Sequence, residues 1–315
     1  MDKLLVILGP TGVGKTNLAL KLAKKFNAEL ISVDSRQIYT DMDIGTGKLP
    51  VISKIKSASR RKKENGKWII DGVPIYLYDI TTPDKTFSVA AYQQLAYQTI
   101  RSIHQKGKLP ILVGGTALYL NAVTQGLNIP KVPPNKDLRN KLERTPLGEL
   151  LKKLEEIDPK TFARIDKQNP RRIIRALEIY YSIGQPLSTL TKKFKVDYDI
   201  LTLGLTCYRD YLYNLVDKRV EAWIKNGFLD EVKNLRKKYG DVQVFNSPGY
   251  RQISNFLDKK ISLEEAIKRI KFDHHSLIRK QYTFFKRNKK IIWFDIGQSN
   301  FQKQVQDLVN EWYNN

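Results

Sequence analysis

The chain has one cysteine, Cys207, in 315 residues, so it contains no internal disulfide bond. Low cysteine usage of this kind is typical of reducing compartments. Long hydrophobic runs are missing too. No apolar stretch approaches the ~20 residues that a membrane-spanning helix needs, and Met1–Leu8 is too short for a secretory signal. We therefore expect a cytoplasmic protein with no membrane partner.

Histidine is also scarce, with three residues in the chain. His274 and His275 are adjacent in a stretch with a helical pattern, where neighbouring side chains point about 100° apart. No cysteine or glutamate stands at ligand spacing beside them, so we expect no zinc site there. We expect both histidines at the surface or facing a nucleic acid.

Acidic residues are few relative to basic ones. The chain has 32 Asp and Glu against 55 Lys and Arg, a formal net charge of +23. Such an excess favours a polyanionic partner, above all a nucleic acid, although a generally lysine-rich proteome is an alternative explanation. The densest basic stretch lies at 49–67. We expect it to be a polar, solvated excursion between structured elements.

The motif GPTGVGKT at residues 9–16 follows the apolar run Leu4–Leu8 and precedes a helix-compatible stretch. This is the arrangement of a P-loop, in which backbone N–H groups and a helix N-terminus hold phosphate groups. Lys15 would reach the terminal phosphates, and the Thr16 hydroxyl would bind Mg²⁺. The residues expected to bind the anion are Gly9, Pro10, Thr11, Gly12, Val13, Gly14, Lys15 and Thr16.

Strand and helix patterns alternate over the first part of the chain, which is typical of a parallel α/β sheet. Residues 126–195 begin with a proline-rich linker and continue with helical patterns, the first of them over Asp137–Glu156. Strand composition returns at Ile200–Leu205. We therefore predict an α/β fold. Residues 1–125 and 196–315 would form a P-loop parallel sheet flanked by helices, and residues 126–195 an all-helical insertion domain.

Asp34 ends the predicted second strand, at the carboxyl edge of the sheet where the P-loop opens. A carboxylate there could bind phosphate-bound Mg²⁺ or act as a general base. The structural alternative is that Asp34 only caps the turn that follows the strand. The strand at 111–115 ends in glycines, without the aspartate of an ordinary ATPase. This favours group transfer from a diphosphate-bearing molecule over motor or switch activity.

Five segments occur in order along the chain: GPTGVGKTNLA (9–19), DSRQIYTDMDIGTGK (34–48), PILVGGTALYL (110–120), QNPRRIIRALE (168–178) and DKRV (217–220). Together they resemble the tRNA dimethylallyltransferases, or IPP transferases, over about residues 3–295. The resemblance implies transfer of a dimethylallyl group from dimethylallyl diphosphate to N6 of the adenosine 3′ of the anticodon, A37 of tRNA. The same motifs characterise adenylate isopentenyltransferases, so the enzyme class is implied more firmly than the acceptor.

The resemblance also implies residue roles. Asp34 would be the general base for the amine, with Thr11 nearby. Lys15 and Mg²⁺-bound Thr16 would neutralise the leaving diphosphate, and Arg219 would lie near the diphosphate or the tRNA backbone. The implied catalytic residues are Thr11, Lys15, Asp34, Thr116 and Arg219.

The expected partner is the anticodon stem-loop of tRNA, whose single-stranded bases are open to recognition. Gln37 suits this role because its amide can both donate to and accept from a base edge. By resemblance, the tRNA-binding residues are Asp34, Ser35, Arg36, Gln37, Thr116, Arg139, Gln168, Asn169, Pro170, Arg171 and Arg172.

Other function classes remain at this point. Free AMP, ADP or ATP could be the acceptor, but the insertion and the positive charge favour a larger polyanion. A P-loop nucleotide kinase, with ATP in the loop, also suits Asp34, yet it leaves the GGT at 114–116 and DKRV without roles. An RNA-binding protein with a vestigial loop leaves Lys15, Thr16 and Asp34 unexplained. We expect a monomer that uses Mg²⁺.

Overall fold

The chain forms two structural units, the first of which is made of two separate segments of the sequence. The computed structural model describes residues 1–48, 61–64, 66–191 and 193–315. Met1–Leu120 and Asp197–Asn315 form the first unit, and Asn121–Val196 form the second. The second unit is therefore inserted between two parts of the first.

The described residues of the first unit contain one eight-stranded sheet. Its strands are β1 (Asp2–Leu8), β2 (Ala28–Val33), β3 (Arg61–Glu64), β4 (Lys67–Ile70), β5 (Val73–Tyr76), β6 (Leu109–Gly114), β7 (Tyr198–Thr206) and β8 (Ile292–Asp295). Their order across the sheet is β3-β4-β5-β2-β6-β1-β7-β8. The neighbouring strands in the series β5-β2-β6-β1-β7-β8 are all parallel. Strand β4 pairs antiparallel with both β3 and β5. The predicted α/β fold with a mainly parallel sheet is confirmed.

Helices follow most of the strands. They are α1 (Lys15–Lys25), α2 (Val89–Gln105), α3 (Ala117–Thr124), α4 (Lys136–Glu143), α5 (Leu147–Ile157), α6 (Pro159–Phe162), α7 (Pro170–Ile183), α8 (Leu187–Leu190), α9 (Arg209–Lys225), α10 (Phe228–Tyr239), α11 (Tyr250–Leu257), α12 (Leu263–Phe285) and α13 (Phe301–Asn314). No helix in the described residues is long and apolar enough to cross a membrane.

The central strands are hydrophobic because both faces of the sheet are covered. Strand β2 is buried at every position, and β1 is buried from Leu4 onward. Helix α1 places Leu18 and Leu22 in the same core as these strands. Ser88 caps α2 by accepting a hydrogen bond from the Ala91 N–H at 3.1 Å. The sheet is therefore a rigid support for the loops at its carboxyl edge.

The prediction of an unstructured excursion at 49–67 is wrong for its last part. Residues 61–64 form β3, and Lys67 begins β4. These strands look like a loop in the sequence because β3 is an edge strand, and edge strands carry charges that prevent further pairing. Glu64 pairs with Lys62 at 3.0 Å and with Lys67 at 2.8 Å. Residues 49–60 and 65 lie outside the described residues.

The second unit is built from α4 to α8 around Leu150, Leu154, Ile173 and Leu177. The helix predicted over 137–156 is two helices in the structure, α4 and α5. Pro146 stands immediately before the first residue of α5, where its fixed φ and missing N–H are tolerated, but no continuous helix could pass through it. Helices α11 and α13 were not predicted.

Candidate active site

Three strand ends meet at one level of the sheet edge. Strand β6 lies between β1 and β2, and Gly114 is in register with both Leu8 and Val33. The chain segments that leave these strands therefore begin side by side. The P-loop follows β1, Asp34 follows β2 and Gly115 follows β6, as the parallel topology predicts.

The P-loop has the backbone geometry that its glycines allow. Gly12 and Gly14 have φ angles of 85° and 87°, which side-chain-bearing residues rarely adopt. Gly14 immediately precedes α1, so the loop leads directly into the helix N-terminus. The Lys15 ammonium folds back over the loop and donates to the Pro10 carbonyl at 2.7 Å. The loop is thus preformed around a single lysine.

A cavity of about 330 Å³ opens beside the loop. Its charged and polar lining includes Thr11, Lys15, Thr16, Asp34, Gln37, Thr46, Lys48, Arg219 and Gln281. Of the P-loop residues, Thr11 to Thr16 line it. Asp34, Gln37 and Arg219, which were predicted with the P-loop residues, also line this cavity. Gly9, Pro10, Ser35, Arg36 and Thr116 do not line it.

The cavity holds two cations that have no ion-pair partner. No carboxylate lies within 4.0 Å of Lys15 or Arg219 in the described residues. Burial, and after it the nearby positive charge of Arg219, lower the pKa of Lys15 to about 7, while Asp34 opposes the shift. Burial also lowers the pKa of Arg219 to about 10. A bound anion would relieve both shifts, because it supplies the missing negative charge.

Arg219 reaches the P-loop from α9. Its Nη2 donates to the Thr11 hydroxyl at 3.2 Å, and its Nε is buried without a partner in the described residues. The guanidinium carbon lies 4.6 Å from the centre of the Trp223 ring. The guanidinium therefore has free hydrogen-bonding capacity next to the loop.

Asp34 is held by its own turn. Its Oδ1 accepts from the Arg36 N–H at 2.8 Å and from the Gln37 N–H at 3.4 Å. This is the capping role given above as the structural alternative, and it coexists with a place in the cavity wall. The turn fixes the orientation of the carboxylate.

Gln37 and Thr116 make internal contacts near Asp34. The Gln37 amide oxygen accepts from the Ser32 hydroxyl at 2.8 Å, and its nitrogen donates to the Thr46 carbonyl at 3.2 Å. One amide N–H of Gln37 remains for a ligand. Thr116 does not line the cavity; its hydroxyl accepts from the Ser35 N–H at 3.0 Å and so positions the turn.

Comparisons with known proteins identify the family. The IPP transferase family profile matches residues 37–288. The chain is 42% identical to a tRNA dimethylallyltransferase of Roseiflexus sp. over 99% of both chains, and 41% identical to one of Dictyoglomus turgidum over 99% of this chain and 94% of the relative. The chain belongs to the IPP transferase family.

Solved structures agree with this assignment. A full-length tRNA isopentenylpyrophosphate transferase of Bacillus halodurans superposes with a TM-score of 0.71 at 37% identity, covering 99% of this chain and 96% of that one. A eukaryotic dimethylallyltransferase described as acting on tRNA superposes with a TM-score of 0.78 at 25% identity, covering 100% of this chain and 80% of that one. The family resemblance noted in the sequence is confirmed.

The remaining predicted tRNA-binding residues lie in the second unit. Gln168, Pro170, Arg171 and Arg172 are exposed at the start of α7, and Asn169 caps this helix by accepting from the Arg172 N–H at 3.4 Å. Exposed arginines at a helix N-terminus are favourable only beside an anion. Contact of these residues with tRNA stays a prediction.

Arg139 has a structural role that the sequence did not reveal. It makes a bidentate ion pair with Glu178, at 2.8 and 2.9 Å, and Arg175 binds the same carboxylate at 2.5 Å. Glu178 is fully buried, and the two arginines hold the pKa of its carboxyl below the usual value against the effect of burial. Arg139 therefore links α4 to α7, and its predicted contact with tRNA is untested.

Two residues of the site have no motif in the sequence. Gln281, on α12, accepts from the Thr11 N–H at 2.9 Å and donates to the Gly115 carbonyl at 3.0 Å. Glu231, on α10, accepts from the N–H groups of Ile44 at 2.7 Å and of Asp43 at 3.0 Å. These side chains hold loops rather than carry chemistry. No local pattern marks them, because their partners are far away in sequence.

The expectation that both histidines are at the surface is wrong for His274. Its side chain is buried on α12, with its ring edge-on to Trp223 at 5.4 Å. Nδ1 lies 2.9 Å from the Ile270 carbonyl and donates to it, while burial lowers the pKa of His274 to about 4. His275 is half-buried, and its Nε2 lies 2.8 Å from Asp217. His274 is therefore a neutral core residue.

The donor set of the site fits Mg²⁺ only if a ligand completes it. No group of three or more His, Cys, Asp or Glu side chains that could hold a metal occurs in the described residues. The oxygen donors in the cavity wall include the Thr16 hydroxyl and the Asp34 carboxylate. Mg²⁺ commonly binds through one or two protein oxygens together with substrate phosphates and waters. The predicted magnesium site is compatible with this arrangement.

Proposed function

We propose that this chain transfers a dimethylallyl group from dimethylallyl diphosphate to N6 of the adenosine 3′ of the anticodon, A37 of tRNA. Its activity as a tRNA dimethylallyltransferase follows from family membership and from about 40% identity to enzymes of that name over the whole chain. The prenyl donor, the target atom and the residue roles are our proposal. The observation that carries them is the pair of unpaired cations facing Asp34 across one cavity.

The diphosphate would lie in the P-loop. Backbone N–H groups of the loop and the start of α1 would bind its oxygens, and Lys15 would leave its contact with Pro10 to pair with the terminal phosphate. The Arg219 guanidinium, which donates to Thr11, would offer further donors. Mg²⁺, held by Thr16 and the phosphates, would supply additional neutralisation of the leaving group.

The reaction is a substitution at C1 of the prenyl group. The adenine N6 attacks C1 as the bond between C1 and the diphosphate oxygen breaks, and the electron pair leaves with the diphosphate. The N6 proton passes to Asp34, whose Oδ1 is held by the turn and whose Oδ2 accepts no hydrogen bond within the described residues. A base in this position accelerates such a step by roughly 10²–10⁴-fold.

The test uses dimethylallyl diphosphate labelled in its prenyl group, with unmodified tRNA in one reaction and AMP in another. Label in tRNA, found at N6 of A37 by nucleoside analysis, supports the proposal. Label in AMP alone would overturn the tRNA acceptor, and phosphate transfer from ATP would establish a kinase instead.

Asp34→Asn is the sharpest variant because its amide oxygen can still accept from the Arg36 and Gln37 N–H groups. We expect it to bind tRNA as the unaltered protein does and to lose at least about 100-fold in turnover. Asp84→Asn, in an exposed turn that does not line the cavity, serves as the control for the loss of one carboxylate. Full turnover by Asp34→Asn would exclude Asp34 as the base.

A further inference from the structure

The Arg219 guanidinium packs on an aromatic ring and makes no ion pair in the described residues. The centre of the Trp223 ring lies 4.6 Å from the guanidinium carbon. Gly47 is close to the guanidinium as well, since a Cβ built on it would lie 3.4 Å from Nη2. The hydrogen bond to Thr11 fixes the end of the side chain. The plane of the guanidinium is therefore set mainly by the indole.

Sequence spacing explains the contact. Arg219 and Trp223 are four residues apart on α9, so their side chains lie on the same face one turn from each other. Trp223 is 1% exposed and is fixed in turn by the rings of Phe228 at 5.8 Å and His274 at 5.4 Å. The indole is thus a rigid surface on which the guanidinium rests.

The indole N–H of Trp223 makes no hydrogen bond within the described part of the chain that would require a tryptophan at this position. Trp223 Nε1 is buried without a hydrogen-bond partner in the described residues, which is unfavourable for a buried N–H. A phenylalanine or leucine would avoid that cost. The feature of Trp223 that the site uses is the face of the ring, since tryptophan is the best aromatic partner for a guanidinium.

We infer that Trp223 is a positioning residue that holds the Arg219 guanidinium at the wall of the cavity for a diphosphate, where no carboxylate of the described residues pairs with it. His274 packs against Trp223 as a neutral ring, so it adds no positive charge near Arg219. This inference rests on the proposed function. It assigns to Trp223 a share of diphosphate affinity and no direct contact with the substrate.

The experiment measures the binding of inorganic pyrophosphate to the full chain by calorimetry and by tryptophan fluorescence. Trp223→Leu removes the ring face, and we expect pyrophosphate affinity and the KM for dimethylallyl diphosphate to worsen by about three- to thirty-fold. Trp223→Phe keeps an aromatic face and should retain affinity within about threefold. Affinity for tRNA should be unchanged in both variants.

The chain provides a matched control. Trp312 also has a buried Nε1 without a partner in the described residues and also lies under a cation, Lys3 at 5.0 Å, but it is on α13 and Lys3, unlike Arg219, does not line the cavity. Trp312→Leu should bind pyrophosphate like the unaltered protein. Equal losses in Trp312→Leu and Trp223→Leu would overturn the inference, and so would an unchanged affinity in Trp223→Leu.

Fluorescence keeps the test decisive if Trp223→Leu does not fold. Pyrophosphate should change the tryptophan emission of the unaltered protein, and Trp223→Phe should abolish that change while Trp312→Phe keeps it. A full emission change in Trp223→Phe would overturn the inference. Failure of the unaltered protein to bind pyrophosphate would instead contradict the proposed function itself.

Discussion

The low pKa of Lys15 predicts that diphosphate binding takes up a proton. In the free protein, burial and the charge of Arg219 hold the pKa of Lys15 at about 7. A bound diphosphate would bring it back toward the ordinary value for lysine of about 10.4. Above pH 7, Lys15 is therefore increasingly deprotonated in the free protein. Lys15 must then take up a proton when the diphosphate binds.

This linkage sets the size of the effect. Between the two pKa values, affinity for dimethylallyl diphosphate should fall about tenfold for each unit of pH. The sign for folding is opposite. The unfolded chain holds the Lys15 proton up to a higher pH than the free folded chain does. The contribution of Lys15 to the free energy of unfolding therefore rises with pH above about 7 and is lost as pH falls through that value.

The assay is isothermal titration calorimetry from pH 7.5 to pH 9.5, in pairs of buffers with different ionisation enthalpies. Near pH 8.5 the uptake should approach one proton per diphosphate. Lys15→Arg is the control, since its guanidinium stays protonated throughout and its affinity should vary little with pH. A flat affinity and no proton uptake in the unaltered protein would refute the reasoning.

Two further predictions concern residues that hold the site and the second unit. Glu231→Gln places an amide N–H against the backbone N–H groups of Asp43 to Gly45. We therefore expect the free energy of unfolding, measured with denaturant, to fall by about 1–3 kcal/mol. In the control Glu221→Gln, at an exposed position, the free energy of unfolding should hardly change. For Arg139, Arg139→Gln and Glu178→Gln should weaken tRNA binding equally if Arg139 acts only by joining α4 to α7. A larger loss in Arg139→Gln alone would show direct contact with tRNA.

Local patterns were enough for the core of the site. The P-loop, Asp34 and the glycine-ended β6 could be predicted because each lies at the end of a strand, and parallel strands bring their carboxyl ends together. The role of Gln281 was not predicted, since its bond to Thr11 spans 270 residues. His274 was expected at the surface because its packing against Trp223, which lies on another helix, leaves no local signal.

Charge patterns misled where tertiary pairing decides the structure. The basic residues before β4 read as a solvated loop, yet 61–64 form an edge strand whose charges pair across β3 and β4. Arg139 was expected near tRNA from the family resemblance. It pairs with Glu178 in the second unit, and its contact with tRNA stays a prediction.

The bridge made by Gln281 has a consequence for synthesis of the chain. The P-loop and Asp34 leave the ribosome early, but β7, which pairs with one side of β1, follows only after the inserted unit, and Gln281 follows later still. A nascent chain that has made β6 has one open edge on β1 and an unbraced Thr11. We therefore expect the proposed diphosphate site to be completed late, when α12 emerges, and a prematurely ended chain to carry the whole motif without the site.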